Sequence, residues 1–459
     1  MSNKKHLISI FFLFCLNNLF SQNRQILYGF AENPQTLLLN PGAETNFKYH
    51  IGVPLLSGFS GNIGSTNVVI ADLFLKDNID FTTKFNAVLS KLETTDHINF
   101  NLQVDVLSGG YRYDDKTYFS FGFYEEFDFI GYFPKDVATL LNEGNAAYLN
   151  RSFSLSQLLL KTDLIGVLHA GITRKRTERL TVGARVKIYS SSLSIKSSNN
   201  SGSFTTVLGS ENIYRHHLEN INVSIQTSGI LDNNVAINDY SSIYKDTFLG
   251  GNLGLGFDMG FTYHSTPQLE FSASIIDVGF IKHKKKNTTY TAKGTYSFDG
   301  INFGYDPANP RDYWQELETD FKTKISTDNN NDSYISWRPA KVNASVKYKY
   351  GEVRLNTACY DTSKMYYSNA IGLQLFTVFR PLKPEFALTA FYEKAFTENL
   401  LTKVTYTIDQ FSATNVGLGL STKLGNVSIF GMIDNVFKLE EFTTANNVSV
   451  QFGINLIYN

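Results

Sequence analysis

Cysteine is nearly missing from this 459-residue chain: Cys15 and Cys359 are the two present, so no disulfide framework staples it. Proline is also scarce, at ten residues. Beyond residue 21 no apolar run is long enough to form a membrane-spanning helix. The formal net charge is −1, which offers nucleic acid no electrostatic handle. There is no Gly-x-Ser-x-Gly elbow, phosphate-binding loop or zinc-binding helix pattern. The chain is therefore not read as an enzyme, and neither a catalytic residue, a metal ligand nor a cofactor is assigned. The adjacent pair His216-His217 has no Cys, Asp or Glu at ligand spacing and reads as a loop pair rather than a metal site.

What is present sets the compartment first. Lys4 and Lys5 precede a ten-residue apolar run, Leu7 to Leu16, and a small residue, Ser21, follows before Gln22. A basic start, a short apolar core and a small residue predict a secretory signal over 1–21, too short for an anchor. Residues 22–46 show no strand pattern and carry Asn33-Pro34 and Asn40-Pro41-Gly42 around Leu37-Leu38-Leu39. They read as a periplasmic lead-in or as a plug in a barrel mouth, with the lead-in favoured. Residues 47–459 read as one domain.

Aromatics make up 14% of the chain, and they alternate with small or polar residues. From Leu249 to Tyr263 every second residue is apolar apart from Gly251, while Gly, Asn, Asp and Thr fill the positions between. A second run starts at Leu269. Side-chain period two places the sets on opposite faces of a strand. Alternation this long suits a tilted strand crossing a membrane better than a packed soluble sheet, whose strands average about five or six residues. Similar runs recur at Ile98–Val106, Leu180–Ile188 and, from Arg338 onward, in regular succession to Val448–Tyr458. Short turns at 113–116, 174–178, 264–268 and 424–426 contrast with long connections at 64–97, 131–154, 199–248 and 299–337. The pattern predicts an all-β, transmembrane, antiparallel up-and-down barrel of about 14 and at most 16 strands. Short helices are expected in the outer loops near 66–96 and 134–147. Segment 199–248 reads as a long outer loop with one short strand at Ile221–Ile225, and Thr289–Phe298 reads as a weak barrel strand. A soluble sandwich or solenoid is disfavoured by strand length and by the lack of a fixed repeat.

The polar face carries the candidate functional residues. Asp105, Arg185, Lys187, Asp258, Lys347 and Arg354 stand opposite apolar rows and are candidates to line the lumen. Both signs are present, which argues against strong ion selectivity. Lys282, Lys284, Lys285 and Lys286 form a basic cluster at the outer end, where lipid headgroups or lipopolysaccharide phosphates would meet it. Asn40, Pro41 and Gly42 are the candidate plug motif. The alternating, aromatic-ended last strand suits recognition by barrel-assembly machinery.

The hairpin Gly254-Leu255-Gly256-Phe257-Asp258-Met259-Gly260 with Phe271 to Ile281 resembles the signature of a Bacteroidota outer-membrane β-barrel family of unknown function. Asn40-Pro41-Gly42 is similar to that family's early Asn-Pro-small motif, with Gly42 where Ala is commoner. The resemblance covers most of the mature chain and implies a closed barrel of about 14 strands in the cell outer membrane. It is distantly shared with type IX secretion membrane proteins and long-chain fatty-acid transporter-like barrels, and it implies no activity. Two functions are consistent with these readings. One is passage or uptake of small molecules, hydrophobic ones included; the other is a non-transporting scaffold or accessory with secretion-system partners.

Overall fold

The computed structural model describes residues 25–30, 32–197, 200–210, 212–229, 244–300, 312–354, 365–438 and 442–458. The expected signal, 1–21, lies outside the described residues. In chain order the first strands are Tyr49–Gly52 (β1), Phe59–Ser65 (β2), His97–Arg112 (β3), Thr117–Tyr132 (β4), Ser152–Ser154 (β5), Leu160–Thr177 (β6) and Leu180–Ser197 (β7). Next come Ser201–Leu208 (β8), Tyr214–Gly229 (β9), Asn252–His264 (β10), Leu269–His283 (β11), Asn287–Phe298 (β12), Ile325–Asn330 (β13), Tyr334–Trp337 (β14) and Lys341–Arg354 (β15). Met365–Val378 (β16), Glu385–Thr397 (β17), Leu400–Asp409 (β18), Asn415–Leu424 (β19), Val427–Ile433 (β20) and Asn447–Tyr458 (β21) complete the set.

Fourteen antiparallel staves close on themselves. β21 pairs with β20 on one side and with β1 and β2 on the other, at Tyr49↔Tyr458 and Phe59↔Phe452. β1 and β2 pair onward to β3, so together they make one stave interrupted at residues 53–58. β14 and β15 likewise form one stave against β11, interrupted at Arg338-Pro339-Ala340. Proline there has no N–H to give the ladder. Opposite the gap Asp277 adopts φ 62°, and its N–H donates to the Asp258 carboxylate at 2.7 Å. β11 bulges against β10 at this point, where the register shifts between Phe257 and Met259, and the freed Asp277 donor has a partner, as a water-free slab requires.

The alternation behaves as its period demands. On β10, Leu253, Leu255, Phe257, Met259, Phe261 and Tyr263 are exposed on the outer surface, whereas Gly254, Gly256, Asp258 and Thr262 face in. The strand starts later than the sequence suggests. Residues 246–250 form a wide helical turn with Leu249 at φ 63°, and Gly251 lies so close to Ser191 that a Cβ would stand 2.3 Å from its carbonyl oxygen.

The upper count of 16 reduces to 14 for two local reasons. Val342–Tyr350 and Val353–Tyr360 read as two strands, but the described part is one strand, β15, paired with β16 from Lys341↔Val378 to Arg354↔Met365. Gly351, at φ 75°, lies inside this ladder, whose register runs unshifted across it, and makes no turn. Thr289–Phe298 is indeed a strand, yet it pairs with β9 and β13 in a sheet beyond the barrel. Segment 199–248 is not a bare loop either, since it supplies β8 and β9 to that sheet. Its alternating residues bury one face locally: Ile221, Tyr296 and Ile325 pack with Leu218, Phe298 and Leu317. The long-loop end also carries helices Ile70–Phe74 (α1), Phe81–Lys91 (α2), Lys135–Glu143 (α3) and Tyr313–Lys324 (α4). α4 falls where the sequence reads as polar loop, and Asp312 caps it by accepting from the N–H groups of Trp314 and Gln315.

Replacing Phe257, near the middle of β10, by Arg is expected to cost about 2–4 kcal/mol of stability in urea unfolding from lipid vesicles. The same change at Tyr263, near the strand end, costs about 0–1 kcal/mol. Equal costs at the two positions contradict the placement of this face in lipid.

Candidate functional site

Residues 25–30 and 32–46 run inside the barrel, not below it. Ile26, Leu27, Tyr28, Phe30, Leu37 and Leu39 are buried, and the turn of 3-10 helix at Pro34–Leu38 sits among inward side chains. The favoured lead-in placement is corrected by this course. Its physical reason is apolar burial: Ile26, Leu27, Tyr28, Phe30 and Leu39 make one cluster with Ile276, Phe430 and Met432 of the wall.

An irregular segment leaves carbonyls without secondary-structure partners, and buried ones must find donors. Inward cations supply them. Lys403 Nζ donates to Tyr28 O at 2.8 Å and Lys347 Nζ to Gly29 O at 2.7 Å. Arg185 donates to Leu38 O at 3.3 Å and also to Leu37 O. Ser274 Oγ donates to Leu39 O at 2.6 Å, and the Gln35 and Asn455 amides exchange bonds of 2.9 and 3.0 Å. Near the short-turn end Glu44 accepts from Thr181 at 2.8 Å and lies 3.0 Å from His264.

The Asn40-Pro41-Gly42 turn is seated on glycines. Asn40 Oδ1 accepts from the Gly42 N–H at 2.9 Å, its Nδ2 donates to Phe261 O at 3.2 Å, and Pro41 O accepts from Thr173 at 2.6 Å. A Cβ on Gly183 would stand 1.9 Å from Pro41 O, and one on Gly42 would stand 2.4 Å from Gly260 O. Gly42, where the resembling family commonly has Ala, has no room here for a methyl group.

The structure brings three of the predicted polar residues together. Asp258 lies 3.1 Å from Arg185 and 2.9 Å from Lys187. Lys187 also meets Asp277 at 2.6 Å, and Asp277 meets Lys341 at 2.9 Å. Asp105 is apart from them, buried, and accepts from Gln103 at 3.0 Å. Lys347 belongs to a second group, with Glu393 3.0 Å from it and 3.1 Å from Lys403. Arg354 ends β15, and its side chain lies outside the described residues.

Sequence reasoning missed a bar of ion pairs across the interior near the long-loop end. Arg338 reaches Glu126 on β4 at 2.7 Å, Arg380 reaches Asp128 at 2.9 Å, and His97 meets Glu385 at 3.0 Å. β4 and β3 stand opposite β15 and β17, so these contacts cross the bore. A signal for Glu126 and Asp128 exists in the sequence, because Phe127 and Phe129 continue the outward row of β4. Arg338 and Arg380 each precede a proline, the first at a strand interruption and the second in the turn between β16 and β17, and lie on no periodic face. The bore is consequently filled. Voids between the segment and the wall amount to about 30 Å³ each at two places, enough for about one or two waters.

All four lysines of the basic cluster are exposed, and they differ in partners: Lys286 pairs with Asp246 at 2.9 Å and Lys285 donates to Gly250 O at 2.6 Å. Above the barrel, a cavity of about 760 Å³ opens between the outer sheet, α4 and the last turn of α3 at Leu140. His216 lines it from β9 and is a strand residue rather than part of a loop; His217 faces the other way and bonds Ser297 at 2.8 Å.

Glu126→Gln is expected to cost about 3–5 kcal/mol in urea unfolding, because the buried Arg338 loses its close partner. Glu178→Gln, which removes an exposed pair with Lys175, is expected to change nothing measurable. Gly183→Val, at an overpacking cost of about 1–3 kcal/mol, is expected to push the 40–42 turn off the wall. Planar-bilayer conductance above that of the parent, with the barrel still folded on semi-native gels, is the readout.

No curated protein sequence matches this chain. Among solved structures it is similar to the Ralstonia pickettii toluene transporter TbuX, with 10% identity and TM-score 0.43 over 96% of this chain and 100% of that one. A Pseudomonas aeruginosa FadL homologue gives 8% identity and TM-score 0.43 over 96% and 100%. The Pseudomonas putida toluene transporter TodX gives 10% identity and TM-score 0.36 over 95% and 93%. Likeness at this level says nothing of what this barrel carries. Residues 41–434, most of the chain, match the family of unknown function DUF5723, and the protein belongs to that family.

Proposed function

We propose that this protein is an outer-membrane barrel for the uptake of small apolar molecules, captured at the long-loop end and admitted past the N-terminal segment. The observation that carries the reading is the apolar, aromatic-lined cavity of about 760 Å³ above a bore that is filled. A cavity of that size and lining is of the kind that takes small-molecule ligands, whereas a porin for ions or sugars needs a standing aqueous channel.

The wall chemistry suits a segment that moves. Lys347 and Lys403 hold carbonyls of residues 29 and 28, and both also pair with Glu393. Arg185 holds residues 37 and 38 and pairs with Asp258. When the segment withdraws, Arg185 keeps Asp258, and Lys347 and Lys403 keep Glu393 between them with Glu270 beside Lys347, so no cation is left without a carboxylate. That limits the cost of opening, since an unpaired buried charge is the expensive case.

Two measurements test the proposal. Cells lacking the protein are expected to accumulate an apolar fluorescent probe more slowly than cells that express it. Deleting residues 25–46 is expected to turn a nearly silent barrel into a conducting one in planar bilayers. Unchanged probe uptake in the deletion strain overturns the reading, and a loss of protein export in that strain would favour the secretion accessory instead.

A further inference from the structure

The outer cavity has a construction that goes beyond its volume. Phe204 on β8, His216 on β9 and Tyr296 and Phe298 on β12 form a row of rings across three strands. Neighbouring centroids are 5.7, 6.2 and 6.5 Å apart and the planes differ by only 16 to 18°. α4 closes the opposite side with Leu317 and Phe321, the latter edge-on to Tyr296 at 5.2 Å. Trp314, 69% exposed, stands at the mouth. A slot walled this densely by rings favours a ligand that is itself aromatic, because aromatic pairs gain in both offset-stacked and edge-to-face geometry.

One polar group in that wall is set by its neighbours. The Asn145 amide nitrogen lies 3.1 Å from His216 Nδ1, and the Thr206 hydroxyl lies 3.0 Å from the same atom. An amide nitrogen only donates, so Nδ1 accepts and the ring proton sits on Nε2. Nε2 has no hydrogen-bond partner among the described residues. Burial, helped by the neighbouring His217, pushes the imidazole pKa below its ordinary value, so the ring is neutral. Of the other polar groups nearby, Glu318 is tied to Lys322, and the Tyr296 hydroxyl bonds Asp320. The Glu318 carboxylate on the lining also disfavours an anionic ligand.

We infer that the cavity is a binding site for a neutral aromatic molecule carrying one hydrogen-bond acceptor of carbonyl type, positioned by the Nε2–H of His216. The inference rests on the uptake reading for its biological purpose, but the site itself is tested by binding.

Full-length protein in lipid nanodiscs is irradiated with benzophenone, an aromatic ketone, and the photolabel is mapped by peptide mass spectrometry. Diphenylmethane, the same two rings without the carbonyl, serves as competitor. Label is expected to concentrate on α4 and around Leu140. Benzophenone should bind roughly three- to tenfold more tightly than diphenylmethane, the ratio that one net hydrogen bond supplies. His216→Phe keeps a ring in the row and removes the N–H, and should bring the two compounds to parity. Leu317→Trp fills the slot and should abolish the label. Label confined to lipid-facing strands overturns the site, as does an unchanged ketone preference in a folded His216→Phe protein. Should His216→Phe not fold, cavity label persisting in Leu317→Trp overturns it alone. Cavity binding without any uptake defect in cells overturns the uptake reading and leaves the site standing. Uptake without cavity label does the reverse.

Discussion

Fourteen tilted strands enclose more space than their inward side chains can fill, since barrels of about eight strands are packed solid and those of sixteen or more leave a water channel. This chain lies between those cases, and the interior of the structure is an answer to that surplus. Residues 25–46 occupy part of the space with a turn of 3-10 helix and an apolar cluster against the wall. The remainder is crossed by ion pairs, among them Arg338 with Glu126 and Arg380 with Asp128. Neither filling is a regular element, so each brings polar groups into a place with little water, and each must arrive with partners.

The same requirement explains where the wall departs from regularity. The gap at 338–340 and the positive φ of Asp277 break the ladder in mid-barrel, yet they deliver Arg338 into the bore and turn Asp277 toward Lys187 and Lys341. The glycines of β7 and β10 have a matching role. Gly183 and Gly260 leave the space in which Asn40 and Pro41 lie against the wall, at distances that any Cβ would violate. Their lack of side chains allows the filling segment to sit close, so the glycine-rich inner face leaves no opening at that point. The outer sheet and α4 follow a different logic: water surrounds them, and they hold their apolar faces against each other around a cavity.

Much of the barrel was legible in the sequence because a membrane imposes one rule on every strand, apolar outward at period two. The outward row of β10 from Leu253 to Tyr263, the short turns at one end and the inward placement of Arg185, Lys187 and Asp258 all follow from that period. The closure and the strand number near fourteen follow from counting such runs. The period could not distinguish a stave from a strand of the outer sheet, since β12 alternates as well but buries its face against protein instead of lipid. Nor could it show that Gly351 lies within one strand rather than in a turn between two, because a glycine between two alternating runs looks the same in either case.

What only the tertiary structure decided is who meets whom across the bore and above it. Lys347 with Gly29, Arg338 with Glu126 and His97 with Glu385 are separated by hundreds of residues and joined by the curvature of the closed sheet. Nothing local encodes that curvature. The course of residues 25–46 was likewise open, because a segment without periodicity carries no statement of where it lies. Its place depends on glycines and cations supplied by strands far along the chain. The sequence by itself determined the barrel, through the repeated choice between lipid and interior at each strand position; closure in three dimensions determined what fills it.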